Sequence, residues 1–218
     1  MKNKAILNEL ITRYPALTDL ADSIERAADL IIDTYRGGGK VLICGSGGSA
    51  ADALHIVGEL MKSFVLKRKT DKAFSARLQE TAGEDFEYLQ ANLEGALPAI
   101  ALVENSALQT AFSNDVAGDL AFAQQTYGYG KEGDLLIAIS TSGNSRSGVL
   151  AAKVALAKGM RVVALTGEGG GKLGKLADAC VAVHDRETFR IQELHLPIYH
   201  ALCLVVEDEF FAAEGEPR

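Results

Sequence analysis

Apolar positions recur along this chain with two periods. Over residues 5–35, Ile6, Leu10 and Ile11, then Leu20, Ile24, Ala27, Ile31 and Ile32, fall at helical spacing, and Pro15 sits between the two stretches, where a break is expected. Gly37, Gly38 and Gly39 end that region. Five short apolar runs follow, at 40–44, 99–103, 135–139, 161–165 and 180–183, each the length of a strand buried on both faces. Helical patterns over about 50–62, 117–127, 147–158 and 190–212 follow or separate them, with a short helix after the glycine-rich turn at 167–171. Strands alternating with helices make βαβ units, so the chain is predicted to be α/β. The expected architecture has three layers: a five-stranded, mostly parallel sheet with helices on both faces, and an N-terminal helical extension over 1–36. Residues 63–97 break the alternation. They are charged and polar, with a weakly amphipathic stretch (Phe74, Leu78, Phe86, Leu89, Leu93) ending at Pro98, and are predicted to be a partly helical insertion in a single domain over 1–218.

Composition narrows the class without naming a function. The 218 residues are 48% hydrophobic and 23% charged, as in ordinary globular proteins, and suffice for one sizeable core. The net charge of −7 argues against direct nucleic-acid binding, which needs a basic face. Neither a signal peptide nor a membrane span is visible, so a cytoplasmic protein is expected. Cys44, Cys180 and Cys203 are scattered in apolar segments and read as buried thiols of a reducing compartment, not as a disulfide framework or a zinc cluster.

Two loops at the carboxyl ends of predicted strands carry most of the chemistry. Leu135–Ile139 runs into Ser140-Thr141-Ser142-Gly143-Asn144-Ser145, and a helical pattern then begins. Such a loop, feeding a helix amino terminus, offers N–H groups, the positive end of the helix dipole and small hydroxyls to an anion. With no cation before Arg146, it suits a sugar phosphate better than a polyphosphate with its metal. A serine-rich turn with an N-cap is the plain alternative. The other loop, Gly45-Ser46-Gly47-Gly48-Ser49, lacks the third glycine of a dinucleotide fingerprint and the Gly-Lys of a Walker loop. It reads as a second phosphate or sugar cradle, or as a tight turn.

Polar residues on apolar helices are the remaining candidates. His55 and Glu59 share a helix face among Ile56, Val57 and Leu60, as a solvated pair or a placed one. Gln192, Glu193, His195 and His200 lie on the terminal helix, where His200 enters the run Ala201–Val206 either as a core residue or as an acid/base. Asn114 and Asp115 either cap the following helix or hydrogen-bond sugar hydroxyls.

Taken in order, Gly45–His55, Glu59, Ser113-Asn114-Asp115, Ser140–Ser145 and Arg190-Ile191-Gln192-Glu193 to His200 resemble the SIS (sugar isomerase) domain, and within it the phosphoheptose isomerase branch. The resemblance covers nearly the whole chain apart from 63–97. It implies an aldose–ketose isomerase converting sedoheptulose 7-phosphate to D-glycero-D-manno-heptose 7-phosphate through an enediol. By similarity, Glu59 moves the proton between C1 and C2 and His200 serves the oxygens. Ser140, Thr141, Ser142 and Ser145 hold the phosphate, and Ser46, Gly47, Gly48, Ser49, Asn114, Asp115 and Gln192 line the sugar. Some family members bind zinc through residues matching His55, Glu59, Gln192 and His200. No nucleotide or organic cofactor is implied.

The family also implies a homotetramer with active sites between chains. That fits the metal geometry, since ligands eight residues apart on a straight helix lie about 12 Å apart along its axis. Two departures bear on the substrate: Ser46 stands where the isomerase loop usually has Asn, and Ser63 where a basic residue usually follows four after the glutamate. The alternative function is a non-catalytic SIS protein that binds a sugar phosphate, or a protein partner in the manner of a replication-initiator-associating relative. Retention of both Glu59 and His200 favours the enzyme.

Overall fold

The computed structural model describes residues 3–212. Two helices, α1 (Asn3–Arg13) and α2 (Ala21–Arg36), precede β1 (Val41–Cys44) and α3 (Gly48–Met61). Next come α4 (Lys72–Thr81), α5 (Phe86–Asn92), β2 (Ala99–Ala101), α6 (Ser106–Phe112) and α7 (Ala121–Tyr129). The chain continues through β3 (Leu135–Ser140), α8 (Arg146–Ala157), β4 (Arg161–Thr166), the short α9 (Gly171–Gly174), β5 (Ala179–Ala182) and α10 (Thr188–Phe211).

The five strands form one sheet in the order β2-β1-β3-β4-β5, and every pairing is parallel. Alternate residues of each strand enter different cores. Val41, Ile43, Leu135, Ile137 and Ile139 pack with α1, α2, α3 and α10, whereas Leu42, Cys44, Leu136 and Ala138 pack with α7 and α8. All six residues of β3 are buried, as a central parallel strand covered on both faces requires. Each fully buried Leu, Ile or Val in these cores contributes about 1.5–3 kcal/mol. The chain moves outward from β1 to β2, returns over β1 to β3, and then proceeds through β4 to β5. Strand order therefore reverses between β1 and β3, the position where open α/β sheets bind ligands at their carboxyl edge.

One stretch differs from the predicted pattern, and the 63–97 segment is helical in part as expected. The helix expected over 117–127 begins at Ala121, behind a π-helical turn at Ser113–Ala117 and a 3₁₀ turn at Gly118–Leu120. Asn114, Asp115 and Gly118 are poor helix formers, and the extended backbone at Ala117 (φ −164°, ψ 124°) interrupts the helix there. Residues 63–97 hold α4 and α5, neither with a buried residue, and a loop whose Arg68 is buried against α10.

Candidate active site

The glycine loop after β1 and the serine loop after β3 flank the reversal point because their strands are neighbours. Gly47 adopts φ +62°, a left-handed conformation that an L residue rarely takes, and this turn admits α3 at Gly48. Gln192 of α10 lies directly over Gly48: a Cβ there would fall within 2.9 Å of its Cδ and Oε1. The loop and the terminal helix are thus in contact across the site. Ser46, Gly47 and Gly48 are exposed at this edge, and Ser49 is buried beneath them.

On α3, His55 and Glu59 face the same way, as their spacing predicts. His55 Nε2 is 3.2 Å from Glu59 Oε1, and Lys62 Nζ is 2.9 Å from Oε2, so both carboxylate oxygens are engaged. His55 Nδ1 lies 3.0 Å from the Tyr199 hydroxyl, which donates at 3.4 Å to Asp52 Oδ1. The rings of His55, Tyr199 and His200 pack edge to face, with the two imidazole centroids 4.9 Å apart. His200 Nε2 is buried with no hydrogen-bond partner among the described residues. Burial and the neighbouring His55 hold the His200 pKa below its ordinary value, against the opposing pull of Glu59. Its ring is therefore neutral at physiological pH and able to accept or donate at one nitrogen. His195 is the more deeply buried histidine: its Nε2–H donates to the Thr166 carbonyl at 3.1 Å, while its Nδ1, like His200 Nε2, has no hydrogen-bond partner among the described residues.

The serine loop is braced from within and from the next turn. Asn144 N–H donates to Ser142 Oγ at 3.2 Å, and Asn144 Nδ2 donates to the Ser142 carbonyl at 2.8 Å. Gly143, at φ +62°, presses against the main chain of Gly170, and its carbonyl accepts from Leu173 N–H at 2.9 Å. Ser145 occupies the N-cap of α8 without capping it; its hydroxyl lies 3.2 Å from that of Ser147. A cavity of about 500 Å³ opens beside Thr141 and Ser142, walled by Glu168, Asp185, Arg186 and Thr188, a volume that suits a small ligand. A cavity of about 510 Å³ at the opposite edge of the sheet is lined by the ion pairs Lys40–Asp134 and Arg161–Asp33, together with Lys131 and Glu132, and meets neither loop.

Asn114 and Asp115 are exposed in the π-helical turn and bond to each other at 2.9 Å. They are not helix caps: Leu120 precedes α7, and α6 is capped by Asn105, which accepts from Leu108 N–H. Among the described residues, no hydrogen bond or ion pair joins them to His55 or Glu59. Sequence reasoning gave no role to Tyr199 or Asp52. Asp52, His55 and Glu59 do follow a helical i, i+3, i+7 spacing, which was the available signal. Of the metal set, His55 Nδ1 is hydrogen-bonded to the Tyr199 hydroxyl, its Nε2 lies 3.2 Å from the Glu59 carboxylate, and Gln192 lies against Gly48. Among the described residues no group of three or more His, Cys, Asp or Glu side chains is arranged to hold a metal ion. The four side chains of one chain, so disposed, do not fit a shared ion.

Comparison with known proteins identifies the family. The SIS domain family matches residues 7–91 and 93–167. The chain is 37% identical over 198 residues to a phosphoheptose isomerase of Akkermansia muciniphila, covering 91% of each, and 38% identical over 192 residues to that of Rhodospirillum rubrum, covering 88% of each. Its fold is similar to the phosphoheptose isomerase structures of Neisseria gonorrhoeae (TM-score 0.72, 32% identity, 94% of this chain and 96% of that one) and Francisella tularensis (TM-score 0.74, 30% identity, 95% and 97%). The chain therefore belongs to the SIS domain family and, within it, to the phosphoheptose isomerases.

Proposed function

We propose that this protein isomerises sedoheptulose 7-phosphate to D-glycero-D-manno-heptose 7-phosphate. One observation carries the reading: Glu59 is fixed between His55 and Lys62 beside His200, whose buried Nε2 is left for a group brought into the site. The phosphate lies on the loop of Ser140, Thr141, Ser142 and Ser145, where hydroxyls and the α8 amino terminus receive it. Gln192, Ser46, Gly47, Gly48 and Ser49 line the sugar, with Asn114 and Asp115 assigned to its hydroxyls by similarity.

Glu59 takes a proton from C1 of the ketose, and the electron pair forms the C1–C2 double bond of an enediol. His200 delivers a proton to the C2 oxygen as it gains charge and removes the proton from the C1 hydroxyl. Glu59 then returns its proton to C2, giving the aldose with no net gain or loss of atoms. Tyr199, anchored on Asp52, orients the His55 ring that steadies Glu59. No step of this scheme is routed through zinc, because His55 Nδ1 is held by Tyr199 and no group of three or more His, Cys, Asp or Glu side chains among the described residues is arranged to hold an ion.

We further propose that the whole chain is one SIS domain and that it assembles as a homotetramer with sites between subunits. Phe189 and Leu196, 56% and 41% exposed on α10 near Gln192 and His200, support an interface there. No helix among the described residues is long and apolar enough to cross a membrane, and the three free cysteines suit a reducing cytoplasm. The test is incubation with sedoheptulose 7-phosphate in deuterated water, followed by NMR. Aldose carrying deuterium at C2 is expected from the wild type and none from Glu59→Gln. Binding without turnover in the wild type would favour the sugar-phosphate sensor instead.

A further inference from the structure

Arg68 and Glu207 form a buried ion pair that stands outside the reacting cluster but reaches it from two sides. They are 1% and 0% exposed. Arg68 Nε donates to Glu207 Oε1 at 2.9 Å, and its two terminal nitrogens donate to the carbonyls of Leu60 at 2.7 Å and Glu59 at 2.8 Å. Those carbonyls belong to the last turn of α3, which has no intrahelical donors for them. Glu207 also accepts three successive main-chain N–H groups, from Phe64 at 2.8 Å, Val65 at 2.9 Å and Leu66 at 3.0 Å. Burial opposes ionisation of its carboxyl, but these donors and Arg68 outweigh that and hold its pKa below the usual range. The ring of Phe64 lies 5.5 Å from that of His200, and Glu207 sits two helical turns beyond His200 on α10. One guanidinium and one carboxylate therefore join the main chain of Glu59, the ring packed on His200 and the helix that bears His200.

Stability alone is a weak reason for such a pair, since apolar side chains of similar volume often serve a fold as well or better. The planar fork of Arg68 spans three acceptors in fixed directions, which an ammonium cannot do. We propose that Arg68 and Glu207 are positioning residues that set Glu59 and His200 at the separation their proton transfers require. The kinetic consequence rests on the isomerase reading above; the geometric one does not.

The test uses Glu207→Gln, Arg68→Lys and the double variant Arg68→Met with Glu207→Leu in the full-length protein. Each is examined by thermal unfolding, by the ring C–H resonances of isotopically labelled histidine, and by turnover of sedoheptulose 7-phosphate. The double variant leaves no unpaired charge but strands the N–H groups of Phe64, Val65 and Leu66 and the Glu59 carbonyl, so it is expected to fold and to unfold below the wild-type temperature. In all three, the His55 and His200 resonances should move, whereas those of His195, held on the Thr166 carbonyl, should not. The value of kcat should fall about ten- to a hundredfold, with KM within about twofold, and lysine should not rescue. A folded double variant with wild-type kcat, or with unmoved His55 and His200 resonances, would overturn the proposal. So would a double variant that cannot fold, since the pair would then serve the fold itself. A wild type without turnover refutes the isomerase reading, while the histidine resonances still decide the positioning claim.

Discussion

At the first residue of α3, a methyl group in place of the Gly48 hydrogen would fall 2.9 Å from both Cδ and Oε1 of Gln192, and closer still to Nε2. Ordinary contact begins at 3.4 Å, so the amide, whose Nε2 would lie nearest, must retreat by about one ångström. The obstacle is the far end of a flexible side chain, and Gly48 itself lies outside the left-handed region, so the backbone need not change. Alanine also restricts the unfolded chain, which stabilises a protein by about 0.4–1 kcal/mol where the native conformation tolerates it. For a domain of this size, that raises Tm by about 1–4 °C. Gly48→Ala is thus expected to be as stable as the wild type or more so, and yet to lose about ten- to a hundredfold in kcat/KM through the displaced amide. Differential scanning fluorimetry and the NMR isomerase assay read the two quantities on one sample. Gly47→Ala supplies the contrast. Its Cβ would meet nothing within 4 Å, but φ +62° costs an L residue about 1–2 kcal/mol, so Tm should fall. A Gly48→Ala protein with raised Tm and kcat/KM within about twofold of wild type would refute a role for Gln192 in binding the sugar.

Glu59→Gln should abolish deuterium incorporation at C2 while isothermal titration shows a sugar-phosphate Kd within about threefold of wild type. Ser142→Ala removes an exposed hydroxyl of the phosphate loop that also accepts from Asn144 N–H, and KM should rise about tenfold with kcat little changed. Burial lowers the His195 pKa from 6.5, against the bond to the Thr166 carbonyl, so the folded protein keeps this ring neutral. The unfolded chain takes up the proton first, so the associated stability is present above about pH 6.5 and is lost as pH falls through the folded value. Tm measured from about pH 8 to about pH 5 should therefore fall less steeply in His195→Gln than in wild type.

The strands, both anion-type loops and the shared face of His55 and Glu59 were legible in the sequence because each depends on local period and spacing. Leu135–Ser140 shows why: a six-residue strand buried throughout needs nothing but its own apolar run to announce it. The Arg68–Glu207 pair could not be read this way. Its members are 139 positions apart, and Arg68 lies in a charged segment whose pattern predicts a solvated face. Tyr199 was hidden for a different reason, since a tyrosine in an apolar helix counts as core until its hydroxyl is seen against His55 and Asp52. The broken helix at 113–120 reflects competition between weak helix formers and tertiary packing, which no periodicity resolves. The convergence of Gln192 on Gly48 depends on how α10 lies across the sheet, a property of the assembled layers.

The reversal between β1 and β3 has a consequence for how the molecule comes into being. Lys40 and Asp134, whose contact closes the two strands at their amino ends, are 94 positions apart. Bringing such distant segments together costs loop entropy that local contacts do not repay, which places this pairing late among the folding events. On a chain synthesised from its amino terminus, β1 and its glycine loop emerge long before the serine loop exists. Until β3 arrives, one side of β1 presents the open edge of an apolar strand. The same seam that makes a binding crevice in the finished protein is thus the interval of greatest exposure to aggregation during its birth.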